Sequence, residues 1–188
     1  MLEVSETTSD SGLFGEVVVT LTDDRCSVRF ASGDSPVVTI ERLGARTRKS
    51  VPIGTRAAGC LSARVNDRAM AVRPGSGRVF RRSYRVAAEI DGRVVSLRPK
   101  SIDTCLFIDG RPKEVEREFG EFTARADGTI EVVWQTATEI RALGKTVEPP
   151  EATAEDVLIG FALAAAFGTG SLSAISIALG FVSAALPN

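Results

Sequence analysis

The chain has 188 residues, of which 44% are hydrophobic and 25% charged, and its formal net charge at pH 7 is −1. These values fit one globular domain and argue against global disorder or several membrane spans. Histidine is absent, which excludes Ser-His-Asp triads, Cys-His dyads and zinc sites with histidine ligands. We therefore predict a non-enzymatic chain with no catalytic residues, no cofactor and no metal site.

Residues 1–12 are polar and acidic, with no apolar periodicity before Leu13. This composition predicts a short flexible lead. It also lacks the basic start and apolar run of a secretory signal. We expect a location in the cytoplasm or on the cytoplasmic face of a membrane.

Residues 13–147 are predicted to form an antiparallel β domain. Short β-prone runs are separated by pairs of turn residues, and such pairs tolerate the positive φ angles of tight hairpin turns. The last three pairs recur every 18 residues, as in a meander of equal hairpins. The five pairs are Asp23-Asp24, Asn66-Asp67, Asp91-Gly92, Asp109-Gly110 and Asp127-Gly128.

Apolar residues alternate with polar ones along these runs, as in Tyr84, Val86, Ala88 and Ile90, which predicts strands with one dry face. The fold class is therefore mainly β, an antiparallel meander barrel or sandwich of roughly ten to twelve strands, closed or nearly closed. Residues 135–143 fit either a short helix or a last strand.

The three cysteines, Cys26, Cys60 and Cys105, match no CxxC spacing, and an odd number cannot all pair within one chain. We predict small buried thiols in the strands of a reduced, intracellular protein.

The C-terminal part, 153–188, follows a linker at 148–152 that contains two prolines. Thr153 and Asp156 have the spacing of a capping box. The helix predicted from Val157 is apolar on every face, and Gly168-Thr169-Gly170 separates it from a second apolar stretch, Ser171 to Leu186.

A helix with no polar face must be buried in protein or in lipid. The uncharged tail exceeds the ~20 residues that span a bilayer, but its two pieces, each about 21–24 Å as helices, are short for a ~30 Å hydrocarbon layer. Membrane insertion, burial within the β domain or against a partner, and surface association all remain open. The residues predicted to insert or dock are Leu158, Phe161, Phe167, Ile175 and Phe181.

Charge is unevenly distributed, with 15 basic and 3 acidic residues between Arg42 and Lys100. This excess favours an anion or lipid site, unless acidic residues on neighbouring strands cancel it. Nucleic acid is the weaker candidate, since no zinc knuckle or RNA-binding signature accompanies the cations. The candidate anion-binding residues are Arg46, Arg48, Lys49, Arg78, Arg81, Arg82 and Arg85.

The hairpin series that ends at Asp127-Gly128, followed by a capped apolar helix from Glu155 to Phe167, resembles the tubby C-terminal fold. That fold is shared by tubby-like proteins, LURP-one-related proteins and phospholipid scramblases. The resemblance implies a β-barrel around a hydrophobic helix and an association with membrane lipid. It implies no catalysis. The segment from Gly92 to Pro99 is also similar to uncharacterised domains from high-GC bacteria.

The function predicted from the sequence is therefore a non-catalytic, bacterial, lipid- or membrane-associated binding module. The alternative is a structural or assembly protein whose apolar C-terminal tail docks into a protein partner. The partners expected are an anionic lipid or membrane in the first case and a protein in the second.

Overall fold

The computed structural model describes residues 4–33, 35–78, 80–114, 117–125, 127–140 and 145–170. Two six-stranded antiparallel sheets lie on opposite sides of one helix. Each sheet is a simple meander, in which every strand pairs with the strand before it in the chain. This confirms the predicted fold class, a mainly β meander, in its sandwich form.

The first sheet contributes valine-rich inner faces, such as Val17, Val28 and Val38, which are fully buried. Its edge strand is polar and pairs over its whole length with the second strand. The six strands are β1 (Ser5–Asp10), β2 (Glu16–Leu21), β3 (Arg25–Phe30), β4 (Val38–Arg42), β5 (Leu61–Val65) and β6 (Arg68–Ala69).

The chain crosses at Met70 into the second sheet. Val86, Ala88 and Ile90 point inward, as their alternation predicts, and are buried. The six strands are β7 (Ala71–Pro74), β8 (Val86–Ile90), β9 (Arg93–Pro99), β10 (Thr104–Asp109), β11 (Glu118–Ala124) and β12 (Ile130–Trp134).

The predicted turn pairs all lie at strand ends. Asn66 has a φ of 51°, and Asp91 and Gly92 have φ angles of 51° and 79°, the left-handed geometry that tight hairpins require. The prediction of a tight turn is confirmed at Asn66-Asp67 and Asp91-Gly92, because this requirement is local and depends on residue type. Asp109-Gly110 instead begins a longer connection, 110–117.

β1 differs from the flexible lead that the sequence predicts. The backbone of residues 5–10 is ordered by its ladder with β2, and Ser9 and Ser11 are buried at the margin facing β12. There Ser9 Oγ accepts from the Ile130 backbone at 3.0 Å, and Trp134 Nε1 donates to the Ser11 carbonyl at 2.7 Å. A polar strand that pairs through its backbone leaves no apolar periodicity to detect.

The other margin is joined by the Met70 backbone, which donates to the Ala63 carbonyl at 2.9 Å. The two sheets are nevertheless separate ladders. The sandwich is therefore nearly closed at both margins, without being one continuous barrel sheet.

The helix α1 (Ala154–Phe167) lies between the sheets and contacts β2, β3 and β4 on one side and β8, β9 and β12 on the other. The predicted capping box is present: Thr153 Oγ1 accepts from the Asp156 backbone, and Asp156 Oδ2 accepts from the Thr153 backbone. Within the described ranges, no helix combines the length and hydrophobicity needed to cross a membrane.

Leu158, Phe161 and Phe167 are at most 2% exposed. The prediction that they insert into a membrane or dock on a partner is therefore corrected, and burial within the β domain holds for this helix. The reason is that two apolar sheet faces surround it and leave no side exposed. Ile175 and Phe181 lie outside the described residues.

The centre of the core is aromatic. The Phe161 ring meets the Phe122 ring edge-on at 5.3 Å between centroids, and Phe122 meets Phe107 in the same way at 5.2 Å. A Cβ on Gly160 would lie 2.9 Å from Phe122 Cζ. Glycine at this position therefore lets the helix approach the aromatic cluster.

In the chain, β12 and α1 are separated by a segment that contains a two-stranded ribbon. Its strands are β13 (Thr138–Ile140) and β14 (Lys145–Val147), which pair with each other. The strand alternative is therefore correct for the described part of residues 135–143. Residues 141–144 lie outside it.

Cys26 in β3 and Cys105 in β10 are buried, and Cys60 is half-buried; all three are free thiols. Burial raises the pKa of both Cys26 and Cys105 to about 12. The prediction of buried strand thiols is confirmed for these two, while Cys60 ends a short 3-10 turn, Ala58–Cys60.

The sandwich has two ends, which we name after the helix. The cap end, where α1 begins, includes the turns at 66–67 and 91–92 and the loop 110–117. The exit end, where α1 finishes, includes the loops 43–60 and 75–85 and the turn 100–103.

Candidate anion-binding surface

Two loops at the exit end carry the cations that the sequence singles out. The loop 43–60 joins β4 to β5, and the loop 75–85 joins β7 to β8. Neither contains an acidic residue. They lie side by side, since Arg48 Nη1 donates to the Gly77 carbonyl at 2.9 Å. The fold thus brings together two basic segments that are about thirty residues apart in sequence.

The first loop closes the exit end of the core. Residues 51–56 are all buried, and the Ile53 backbone donates to the Ala166 carbonyl at 3.0 Å. The last carbonyls of a helix have no partner within the helix, and a buried one must be satisfied elsewhere. The loop provides that partner, so its position is fixed by the end of α1.

Arg56 is the centre of this arrangement, and it is only 7% exposed. Its guanidinium donates to the carbonyls of Gly75 and Tyr84 in the second loop and of Phe167 at the end of α1, at 3.2 to 3.4 Å. It also lies against the rings of Tyr84 and Phe167, 5.4 and 5.6 Å from their centroids. Arg56 therefore joins both loops to the helix.

No carboxylate of the described residues compensates the charge of Arg56. Burial lowers the pKa of Arg56 to about 10, and the charge of nearby Arg48 adds to this shift. Its Nε has no hydrogen-bond partner in the described part of the chain. A buried charge usually has a charged partner, but every partner found for Arg56 among the described residues is a carbonyl or a ring. At pH 7 the side chain remains a cation, and its guanidinium is buried between the two loops and the end of α1.

Arg56 is not among the anion-binding residues predicted from the sequence. The signal that could have found it is its position at the end of a run, Val51 to Thr55, that contains no charged residue. An arginine next to an uncharged run can bury its alkyl stem with that run, but the burial of its guanidinium depends on the distant carbonyls that it contacts.

Arg46 has a different role from the one predicted. Its Nε lies 2.8 Å from Asp23 Oδ1, and its guanidinium donates to the carbonyls of Val51 and Pro52. The charge of Arg46 is thus paired, and its hydrogen bonds hold the loop. We correct its assignment as an anion-binding residue, because the β2–β3 turn places a carboxylate beside it.

The other predicted cations are arranged around Arg56. Arg81 Nη1 donates to the Lys100 carbonyl at 2.6 Å, and the Arg82 guanidinium lies 5.2 Å from the centre of the Phe80 ring. Most of these cations are exposed to solvent. We call this group the basic surface: Arg48, Lys49, Arg56, Arg78, Arg81, Arg82 and Arg85.

No member of the basic surface forms an ion pair with a carboxylate of the described residues. Strand arginines behave differently: Arg73 pairs with Glu89 at 2.7 Å, and Arg98 pairs with Glu118 at 3.0 Å. Cancellation by acids on neighbouring strands, the alternative left open by the sequence, therefore applies to the strands. In the two loops it applies to Arg46, which Asp23 pairs, and to no other described cation.

Acidic residues do occur at the exit end, but local hydrogen bonds occupy them. The Ser101 and Thr104 hydroxyls donate to Asp103 and lower its pKa, and the Thr129 hydroxyl and backbone lower that of Asp127. Both carboxylates are therefore ionised at neutral pH. Each accepts hydrogen bonds within its own turn.

Exposed apolar side chains accompany the cations. Phe80 is 64% exposed and Ile102 is 57% exposed. Phe80 precedes Arg81, and Ile102 lies two residues after Lys100, whose carbonyl Arg81 contacts. Cations and large apolar side chains thus share one end of the molecule.

In the described part of the chain, no three side chains of histidine, cysteine, aspartate or glutamate are grouped so that they could hold a metal ion. The chemistry available at the exit end is that of guanidinium and ammonium groups, which bind anions through charge and hydrogen bonds.

Comparisons with protein-family models, with curated proteins and with solved structures found no match. The resemblance to the tubby C-terminal fold therefore stays a prediction.

Proposed function

We propose that this chain is a non-catalytic binding module for anionic lipid surfaces, and that the basic surface is the region that contacts them. The observation that carries the proposal is the absence of carboxylate partners for these seven cations among the described residues. The exposed members of this group can therefore pair with an external anion, and buried Arg56 adds its charge beneath them. The exposed members are Lys49, Arg78, Arg81, Arg82 and Arg85.

The electrostatics of a membrane suit this arrangement. Each Lys or Arg near an anionic leaflet contributes about 1 kcal/mol of attraction, within a Debye length of the surface. Arginine also binds phosphate oxygens through two parallel hydrogen bonds. Arg81 and Arg82 are exposed and adjacent, so both can reach the headgroups together.

The apolar side chains support a lipid surface over a free anion. Phe80 and Ile102 are exposed next to the cations, and a bilayer presents an apolar layer directly beneath its charged headgroups. A small dissolved phosphate has no such layer and would leave both side chains in water.

The test is co-sedimentation of the full-length protein with vesicles of phosphatidylcholine, with and without phosphatidylserine. Arg81→Ala combined with Arg82→Ala removes two cations from the basic surface. At about 1 kcal/mol per cation, binding to anionic vesicles falls on the order of 10- to 30-fold. Raising the salt concentration weakens binding of the unaltered chain.

The matched control is Arg111→Ala combined with Lys113→Ala, which removes the same charge from exposed positions at the cap end. It is expected to change binding less than twofold. Equal losses in the two double variants would show that net charge, rather than this surface, governs binding, and the proposal would be rejected.

The second candidate is a structural or assembly role in which the apolar C-terminal residues dock into a protein partner. The absence of charge in residues 171–188 favours it. Docking of this kind predicts a complex that resists salt and is lost when these residues are removed, whatever the lipid composition.

A further inference from the structure

The chain leaves α1 along a defined path. Thr169 is 2% exposed, and its Oγ1 accepts from the Ala124 backbone at 2.9 Å and donates to the Asp103 carbonyl. Gly168 and Gly170 have φ angles of 81° and 75°. A Cβ on Gly170 would overlap the Ile102 carbonyl. Gly-Thr-Gly is therefore a specific turn whose glycines are required by geometry and close approach.

This turn directs the chain to the basic surface. Gly170 lies against Ile102 and Asp103, in the connection between β9 and β10. The same connection contains Lys100, whose carbonyl accepts from Arg81. Gly170 therefore lies at the exit end, the end that carries the basic surface and the exposed apolar side chains.

The sequence that follows is apolar and uncharged. Residues 171–188 contain no Asp, Glu, Lys or Arg and consist mainly of Ala, Ser, Ile and Leu, with one phenylalanine, Phe181. Eighteen residues would reach ~27 Å as a helix, which is shorter than the ~30 Å hydrocarbon layer of a bilayer. The segment is thus long enough to enter that layer without spanning it.

We propose that residues 171–188 insert into the same bilayer that the basic surface contacts. Electrostatic contact and hydrophobic insertion would then act at one end of the molecule on one membrane. The inference rests on the proposed function for the nature of the surface. It adds an anchor that this function alone does not require.

A bilayer consists of charged headgroups, an interface and a hydrocarbon layer, and the exit end offers a matching group for each. The cations match anionic headgroups, Phe80 and Ile102 match the interface below them, and residues 171–188 match the hydrocarbon. Surface attraction is weakened by salt, whereas burial of apolar surface is not. The two components can therefore be separated by washing.

In the first experiment the full-length chain is bound to vesicles that contain phosphatidylserine and is sedimented with them. The pellet is then washed with salt at about 1 M, which reduces the range of electrostatic attraction to ~3 Å. A second wash uses alkaline carbonate. Ile175→Lys combined with Phe181→Lys places charge in the inserted segment and keeps its length. The control, Ile175→Leu combined with Phe181→Leu, keeps the segment apolar. A chain that ends at Gly170 is compared with them.

The unaltered chain and the leucine control are expected to stay in the washed pellet. Retention should fall at least tenfold in the lysine variant and in the shortened chain, while both keep salt-sensitive binding before the wash. Release of the unaltered chain by salt to the level of the shortened chain overturns the inference and leaves the proposed function standing.

The opposite pattern separates the two proposals. If retention depends on residues 171–188 but is equal on neutral and anionic vesicles, and Arg81→Ala with Arg82→Ala has no effect, the proposed function fails while insertion is supported. Absence of the full-length chain from every vesicle pellet overturns both, and a salt-resistant complex with a protein would then favour docking.

The second experiment tests orientation with lipids brominated in their acyl chains, which quench nearby tryptophan fluorescence. The one tryptophan, Trp134, contacts Ser11 in the β1–β2 turn at the cap end. Phe80→Trp in a Trp134→Phe background moves the probe to the exit end. We expect quenching at position 80 at least threefold stronger than at Trp134. Equal or reversed quenching would contradict insertion at the exit end.

Discussion

The arginines around the start of α1 are paired with carboxylates, whereas the cations of the basic surface, at the other end of the helix, form no ion pair with a carboxylate of the described residues. Arg93 lies 3.0 Å from Asp156, which is 4% exposed in its side chain, and 3.4 Å from Asp109. Arg68 pairs with both Asp91 and Glu155. Arg56 at the exit end is buried more completely than either arginine and has carbonyl oxygens as partners.

The difference separates two uses of arginine. At the cap end the ion pairs join the start of α1 to the turns around it, so carboxylates within the fold neutralise these arginines. At the exit end hydrogen bonds to carbonyls fix the loops but do not neutralise the guanidinium. The helix dipole offers partial negative charge there, which is much less than a carboxylate. The positive charge of Arg56 therefore persists at this end of the molecule.

Arg56→Ala is expected to have the largest effect on this contrast. It removes hydrogen bonds to three carbonyl groups and the packing on two rings. At about 1 kcal/mol per hydrogen bond, with relief of the desolvated charge partly offsetting the lost packing, the free energy of unfolding should fall by about 3 kcal/mol. Urea denaturation measures it.

The control for Arg56 is Arg85→Ala, which removes an exposed cation from the same surface. Its effect on stability should stay within about 0.5 kcal/mol. If Arg56→Ala proved equally mild, the guanidinium would not be what joins the loops to the helix, and the account of the exit end would need revision.

Local signals made much of the fold predictable. Alternation identified the inner face of β8, the Asp91-Gly92 pair identified a hairpin, and Thr153 with Asp156 identified the start of α1. Each depends on residues within a few positions of one another. The same holds for the two basic segments, which are visible as clusters in the sequence.

The remaining features depend on contacts between distant residues. Arg56 and Phe167 are 111 positions apart, and Thr169 and Asp103 are 66 apart. The pairing of Arg46 with Asp23 also spans 23 residues. Residue type does not reveal which arginine is buried and which is paired, because that is decided by the loop packing. The position at which the chain leaves the sandwich, Gly170, is likewise fixed by contacts with distant residues.

Asp156→Ala tests the cap end and is expected to have an intermediate effect. The change removes the reciprocal hydrogen bonds with Thr153 and the partner of Arg93. A lost N-cap interaction costs about 1 kcal/mol, and Arg93 is 42% exposed, so water can solvate it afterwards. Stability should fall by about 1 to 2 kcal/mol in urea denaturation.

Asp156→Asn is the matched variant, since it keeps a side-chain oxygen and removes the charge. It should lose less stability than Asp156→Ala, and added salt should reduce the difference between Asn and Asp. Vesicle binding should be unchanged in both variants, because the substitution lies at the end remote from the basic surface. A loss of binding without unfolding would contradict the separation of the two ends.

The smallest expected effect concerns the cysteines. Cys60 is half-buried at the end of the exit-end loop 43–60, while the pKa of Cys26 and of Cys105 is raised to about 12 by burial. Since the thiolate is the reactive form, a maleimide at pH 8 should label one thiol per folded chain, and Cys60→Ser should abolish it. Labelling of Cys26 or Cys105 before unfolding would contradict the packing of β3 and β10 against the helix and its exit turn.

The same pKa shifts give a pH dependence of defined sign. In the unfolded chain these two thiols ionise near the ordinary value of 9.0, and in the fold they hold their protons to about 12. The folded state therefore binds more protons between these values, so its stabilisation by these thiols is complete below pH 9 and declines as the pH rises toward 12. Because both thiols lie in the sandwich core, this decline should be the same in the presence and absence of anionic vesicles that bind only the exit end.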